Sequence, residues 1–148
     1  MRKGFTLMEL IVVVIIIGIL AMIGLPQFFK VAERGRAAEA FTALGALRNA
    51  QLRYAAENSE GKTLSGTDFT QLDVQLPATG KFFTYELFET IPATPGNAGE
   101  VIVQSTRSSD TGFGAYVLSI AVDGTIGCSG DNNGMCDILT RSVKTTTP

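Results

Sequence analysis

Histidine is absent from the 148 residues, cysteine occurs twice, and 12 lysines and arginines face 14 acidic residues. Each shortage closes off chemistry. Without histidine no Ser–His or Cys–His nucleophile pair can form, there is no G-x-S-x-G elbow, and no carboxylate pair is placed together by its spacing. Glu86 and Glu89 sit on a predicted strand as solvent-facing or edge residues, not as an acid/base couple. Two thiolates supply half of a structural zinc shell. A small basic count leaves no strongly basic surface for nonspecific nucleic-acid binding. No nucleotide-binding motif, internal repeat or N-x-S/T acceptor is present, so neither an enzyme nor a cofactor carrier is expected.

Apolar residues are what the chain has in excess at one end. Residues 5–25, FTLMELIVVVIIIGILAMIGL, carry one charge, Glu9, beside the small polar Thr6 and two glycines. A membrane-spanning helix needs about 20 such residues, and an acidic group within one costs about 2.5–3.5 kcal/mol on insertion scales. Length alone fits a plain anchor or an uncleaved signal. Two features argue against both: an anchor gains nothing from Glu9, and Met22-Ile23-Gly24-Leu25-Pro26 is a poor small-residue cleavage site. The preceding MRKG is too short for an ordinary secretory signal. A cut after Gly4 would create an ammonium on Phe5, four residues before Glu9, and that cation is a candidate partner for the carboxylate. The same cut removes Arg2 and Lys3, taking the basic count from 12 to 10 and the net charge from −2 to −4. Arg2 and Lys3 also orient the run, since positive flanks stay cytoplasmic and the rest of the chain then faces outward. On that exported side the pair Cys128 and Cys136 points to a disulfide, with free buried thiols the alternative.

The stretch Gly4-Phe5-Thr6-Leu7-Met8-Glu9-Leu10-Ile11-Val12-Val13-Val14, behind a short basic leader and followed by Pro26, resembles the N-terminus of type IV pilins and of the related pseudopilins of type II secretion systems. The resemblance implies cleavage between Gly4 and Phe5 by a prepilin peptidase, N-methylation of Phe5, a role for Glu9 in docking the subunit into a filament, and a helix kink at Pro26. It covers about the first 30 residues closely. Beyond them it implies a general plan of long helix, connecting loop, antiparallel sheet and C-terminal cysteine pair.

The remainder reads as one domain. From residue 28 to about 57 the chain turns alanine-rich, and Ala37, Phe41, Leu44, Leu47, Gln51 and Tyr54 recur at spacings of three and four, one amphipathic stripe. Glu33, Arg34, Arg36, Glu39, Arg48, Arg53 and Glu57 are expected mostly on its remaining, solvated faces, with a few open to subunit contacts. A single helix over residues 5–57 would be about 80 Å long at 1.5 Å per residue, so its first half must be buried in lipid or in other subunits. Gly18, Gly24, Pro26, Gly35 and Gly45 each weaken it, and either local unwinding over residues 18–26 once the subunit leaves the bilayer or glycines that only permit close helix packing is expected. Residues 58–66, NSEGKTLSG, end the helix; residues 68–72 form a turn, and Pro77 and Gly80 close the connection. Strands are expected over 81–90, 100–106, 114–122, 125–128 and 138–143, with Asp123-Gly124 as the hairpin turn and residues 144–148 frayed.

Inside the cysteine loop Asp131, Asn132 and Asn133, with Asp137 just beyond, make a weak calcium candidate; the full EF-hand spacing is missing and a plain turn is the better reading. Phe28, Phe29, Phe41 and Tyr54 are expected to pack in a core, not to stack for electron transfer. The expectation is thus an α+β pilin fold: leader 1–4, apolar helix half 5–27, globular part 28–148. It would be a self-assembling filament subunit, held in the inner membrane with its N-terminus cytoplasmic, and served by a prepilin peptidase and a separate assembly machinery. A secretion pseudopilin is the alternative within the class. A membrane-anchored extracytoplasmic binding domain is the alternative outside it.

Overall fold

The computed structural model describes residues 4–76, 80, 82–94, 96–107, 114–130 and 134–140. Its elements run α1 (Leu7–Glu57), β1 (Phe83–Leu87), a short 3-10 turn (Asn97–Gly99), β2 (Val101–Arg107), β3 (Val117–Ala121), β4 (Ile126–Ser129) and α2 (Met135–Thr140). The chain divides into two units, Met1–Gly35 and Arg36–Pro148.

In the first unit α1 is apolar on every side, and its side chains lie exposed from Leu7 to Val31. It is long and apolar enough to cross a membrane. The backbone is helical through Gly18, Gly24 and Pro26, although Pro26 has no N–H to give to the carbonyl one turn earlier. Phe28 and Phe29 meet edge to face at 6.1 Å but are 67% and 53% exposed. That corrects the core packing expected of them: they close the apolar run and do not join the packed interior.

The second unit is a meander. Its four strands lie in the order β1-β2-β3-β4, every neighbouring pair antiparallel. Period-two alternation sends Phe83, Tyr85 and Leu87 inward and leaves Thr84 and Glu86 exposed. A register slip between Val101 and Val103 lets the adjacent Ile102 and Val103 both be buried. The helical stripe supplies the opposing surface: Ala37, Ala40, Leu44, Leu47, Ala50 and Gln51 are buried, and Phe41 and Tyr54 pack beside them. Alanine on this face brings the helix axis close to the sheet. Helix α1 ends at Glu57, and the loop after it is bound at three places. The buried Gln51 amide donates to the Leu64 carbonyl and accepts from the Leu64 N–H, both at 2.8 Å. The Thr63 hydroxyl donates to the Phe88 carbonyl at 2.8 Å, and Gly66 bridges to Leu87 at the outer side of β1.

The β3–β4 connection turns at Asp123-Gly124 as expected. Gly124 has φ +91°, a region that disfavours a side chain, and the Thr125 N–H donates to Asp123 Oδ1 at 2.8 Å. Arg48 holds this turn, donating from Nε to the carbonyls of Ala121 at 3.2 Å and Val122 at 3.0 Å. Gly127 sits close to the neighbouring strand: a Cβ there would lie 2.7 Å from the Ser119 hydroxyl, which would have to turn away.

One expectation fails here. Residues 138–140 are helical, not strand, within α2; residues 141–143 of that expected strand, like the tail 144–148 and Pro77, lie outside the described residues. Met135, Ile138 and Leu139 recur at intervals of three and four and turn one apolar face to the core, a pattern that competes with the strand reading of Ile138 onward. The charged residues of α1 are mostly solvated as expected, Arg34, Glu39, Arg53 and Glu57 being exposed, with three exceptions. Glu33 is fully buried, Arg48 is committed to carbonyls, and Arg36 lies 4.8 Å from the centre of the Phe82 ring. Arg107, also buried, reaches the same ring from β2 at 5.4 Å.

Candidate processing and assembly site

The N-terminus of α1 is built around Thr6 and Glu9. Thr6 precedes the first helical residue, and its carbonyl accepts the Leu10 N–H at 3.4 Å. Its hydroxyl accepts the Glu9 N–H at 3.3 Å. Glu9 Oε2 reaches back to the Thr6 backbone N–H at 3.0 Å and to the Thr6 hydroxyl at 2.9 Å. This reciprocal arrangement is a capping box, in which N-cap and third helical residue satisfy each other's free amides. The carboxylate therefore has neutral donors from its own chain, and both act on one oxygen. Among the described residues Oε1 makes no hydrogen bond, and it stays available for a second donor such as an ammonium.

Gly4 and Phe5 lie just ahead of the cap in extended, exposed chain, with Phe5 84% exposed. In this unprocessed chain the Phe5 nitrogen is a peptide nitrogen, so the geometry joins Thr6 to Glu9 and not Phe5 to Glu9. The spacing T-x-x-E before an apolar run was the signal for the cap. Around the site the exposed apolar surface is continuous. Leu10, Ile15, Ile17, Leu20 and Leu25 all exceed half exposure, a surface that water does not tolerate on one helix.

At the other end, Cys128 on β4 and Cys136 on α2 are joined as a disulfide with their Cα atoms 5.5 Å apart. The bond ties the short α2 to the edge strand. Asp131, Asn132 and Asn133 of the calcium candidate lie outside the described residues; Asp137 is exposed in the first turn of α2. Among the described residues no three of Cys, Asp and Glu come together as a metal group. Glu86 is exposed on the outer sheet face and Glu89 pairs with Lys62 at 3.4 Å, so the two do not form a couple.

The other charges serve the fold. Arg53 grips Asp73 with two bonds, at 2.9 and 2.6 Å, and this guanidinium holds the Asp73 carboxyl below its ordinary range. The Thr70 N–H does the same for Asp68, and the Thr125 N–H for Asp123. Lys62 is raised by its bond to Glu60.

Comparison with known proteins places these features. The prokaryotic N-terminal methylation motif matches residues 1–25. The type IV major pilin protein PilA of Myxococcus xanthus is 51% identical over 56 residues, 38% of this chain and 26% of that protein, so the match spans about a quarter of that relative's length. A fimbrial protein of Pseudomonas aeruginosa is 33% identical over 124 residues, covering 72% of this chain and 80% of its own. The type II secretion system core protein G of Escherichia coli is 30% identical over 133 residues, 88% of each chain. No solved structure matches.

Proposed function

Because this chain belongs to the family of type IV pilins and type II secretion pseudopilins, we propose that it is the structural subunit of a type IV pilus-like surface filament. The subunit waits in the inner membrane with its N-terminus in the cytoplasm and its sheet unit outside. A prepilin peptidase cuts between Gly4 and Phe5 and the new amine of Phe5 is methylated, leaving leader 1–4 behind. Residues 5–27 then exchange lipid for the same helix of other copies, and the globular part 28–148 faces solvent. A separate assembly machinery supplies the work, and the subunit itself acts as no enzyme.

One observation carries this reading. An apolar helix exposed on all sides bears one carboxylate at its very start, and that carboxylate keeps an oxygen open. Lipid or neighbouring helices cover the apolar surface; the Phe5 ammonium released by cleavage answers Glu9 Oε1. Cap and ion pair are compatible, since the cap occupies the other oxygen. Phe5 and Glu9 are one helical turn apart, so pairing within a subunit is sterically open, and family membership favours the neighbour.

The test is to replace Glu9 with alanine in the producing cell, image surface filaments and weigh the mature subunit. Loss of filaments with a mature mass beginning at methylated Phe5 is expected. Unchanged filaments, or a mature protein that keeps Met1 to Gly4, would overturn the proposal. The second reading is a pseudopilin with a periplasmic filament, favoured by the 88% coverage of both chains in the core protein G comparison. Calcium separates the two: a requirement for millimolar calcium in folding favours the pseudopilin, and calorimetry showing no heat favours the pilin. An anchored binding domain that never polymerises would leave filaments absent in the unaltered chain too.

A further inference from the structure

Among the described residues the basic side chains divide sharply by how they are used. Arg48 is committed to two carbonyls, Arg53 to Asp73, and Lys62 to Glu60 and Glu89. Arg36 and Arg107 lie over Phe82. Lys30 and Arg34 differ. Both are exposed, and neither makes a hydrogen bond or ion pair among the described residues. They stand four apart on one face of α1, where two like charges disfavour each other unless an anion lies between them. Glu33, the nearest acid in sequence, is buried and is not offered to that face.

Their position along the helix says which anion. Residues 7–25 of α1 span about 28 Å at 1.5 Å per residue, close to a hydrocarbon core of about 30 Å. Phe28 and Phe29 follow, exposed and in contact with each other, where an aromatic pair suits the boundary between acyl chains and headgroups. Lys30 and Arg34 lie about 8 and 14 Å beyond Leu25 along the axis, at and just past a headgroup layer about 5–8 Å thick. Long side chains on a helix lean toward its N-terminus, here back toward the bilayer, so their cationic ends fall to the phosphate level.

We propose that Lys30 and Arg34 form a binding site for the phosphate of an anionic phospholipid on the outward leaflet, seating the unassembled subunit at a set depth. The site rests on the reading of residues 5–27 as a membrane span. Arg2 and Lys3 address the opposite leaflet, so the two basic pairs bracket the helix. Extraction into a filament then exchanges two phosphate contacts as well as apolar surface. Each basic group contributes about a fivefold preference for anionic over zwitterionic lipid, and the pair about twenty-five-fold.

The test places the full chain in vesicles of phosphatidylethanolamine and phosphatidylglycerol, with a trace of headgroup-photoreactive phosphatidylglycerol or phosphatidylethanolamine, and maps adducts by peptide mass. Adducts within residues 28–36 are expected at several-fold higher yield from the anionic probe. The Lys30→Gln/Arg34→Gln chain should lose that preference and keep the adducts near Arg2 and Lys3. Equal yields from both probes, or a preference that survives the double substitution, would overturn the site. Two groups that become shielded only on polymerisation, with no lipid adducts before it, would assign them to an acidic patch on a second copy and equally overturn it. A probe carried at acyl depth labels residues 10–20 if the helix spans, so failure of the span reads differently from failure of the site.

Discussion

Residues 7–35 and 36–57 both lie within α1, yet they solve burial in opposite ways. The second stretch is amphipathic: small and branched apolar residues at spacings of three and four meet the sheet, and Glu39, Asn49, Arg53 and Glu57 stay in water. The first stretch has no charged residue between Glu9 and Lys30, and Gln27 is its one strongly polar side chain there. A helix apolar all round must be covered from outside its own chain, whereas the amphipathic stretch is covered by β1 to β4. One stretch is thus made for folding and the other for a lipid or multi-subunit environment. Substitutions at equivalent-looking apolar positions should therefore report on different processes.

The sharpest contrast is between Leu47 and Ile16. Leu47→Ala opens a cavity in a closed core and is expected to cost about 2–5 kcal/mol in urea unfolding of the sheet unit. Ile16→Ala, in detergent, should move the same transition by less than about 0.5 kcal/mol; comparable losses at both sites would break the comparison. Replacing Cys128 and Cys136 by serine should lower the stability of the sheet unit by about 2–3 kcal/mol, through the entropy of the short loop they close. Secondary structure in residues 7–35 should not change, as circular dichroism of the oxidised and substituted chains would reveal. Gln51→Ala leaves the Leu64 N–H and carbonyl without their partner and should cost about 1–3 kcal/mol, against almost nothing for the exposed Asn49→Ala.

The smallest effect is that of pH. Asp68, Asp73 and Asp123 have folded values below the ordinary 3.8, so the unfolded chain binds protons more readily than the folded one in that range. Their contribution is complete above about pH 3.8 and is lost as the pH falls through the lower folded values. With no histidine in the chain, thermal unfolding of the sheet unit should be flat from about pH 6 to 8. A midpoint that shifts across neutrality would show a titrating group that these contacts do not contain.

Periodicity made much of this legible. The stripe from Ala37 to Tyr54, the four strands and the turn at Asp123-Gly124 follow from spacing and turn chemistry, because each is a local signal. Helix α2 was not legible as such: Ile138-Leu139 opens a run that suits a strand, and the helical spacing from Met135, three residues earlier, competes with it over a segment too short to decide locally. Buried polar residues were hidden for a different reason. Arg48 looks solvated until the carbonyls of Ala121 and Val122, distant in sequence, arrive beside it, and Gln51, though on the stripe, shows its partner only when Leu64 folds back onto it. At the N-terminus the cost of a lone carboxylate pointed to Phe5, while the nearer donor, Thr6, was written in the T-x-x-E spacing.

On the proposed function, residues 5–25 find their cover in other copies of the chain and Glu9 meets a Phe5 amine there. A cryo-EM map of filaments grown from mature subunits tests it most directly. Such a map is expected to show a bundle of these helices in the interior with Glu9 beside a Phe5 ammonium, and its course over residues 18–26 separates local unwinding from close helix packing. A filament whose apolar stretch faces solvent, or whose Glu9 lies away from every Phe5 amine, would contradict it.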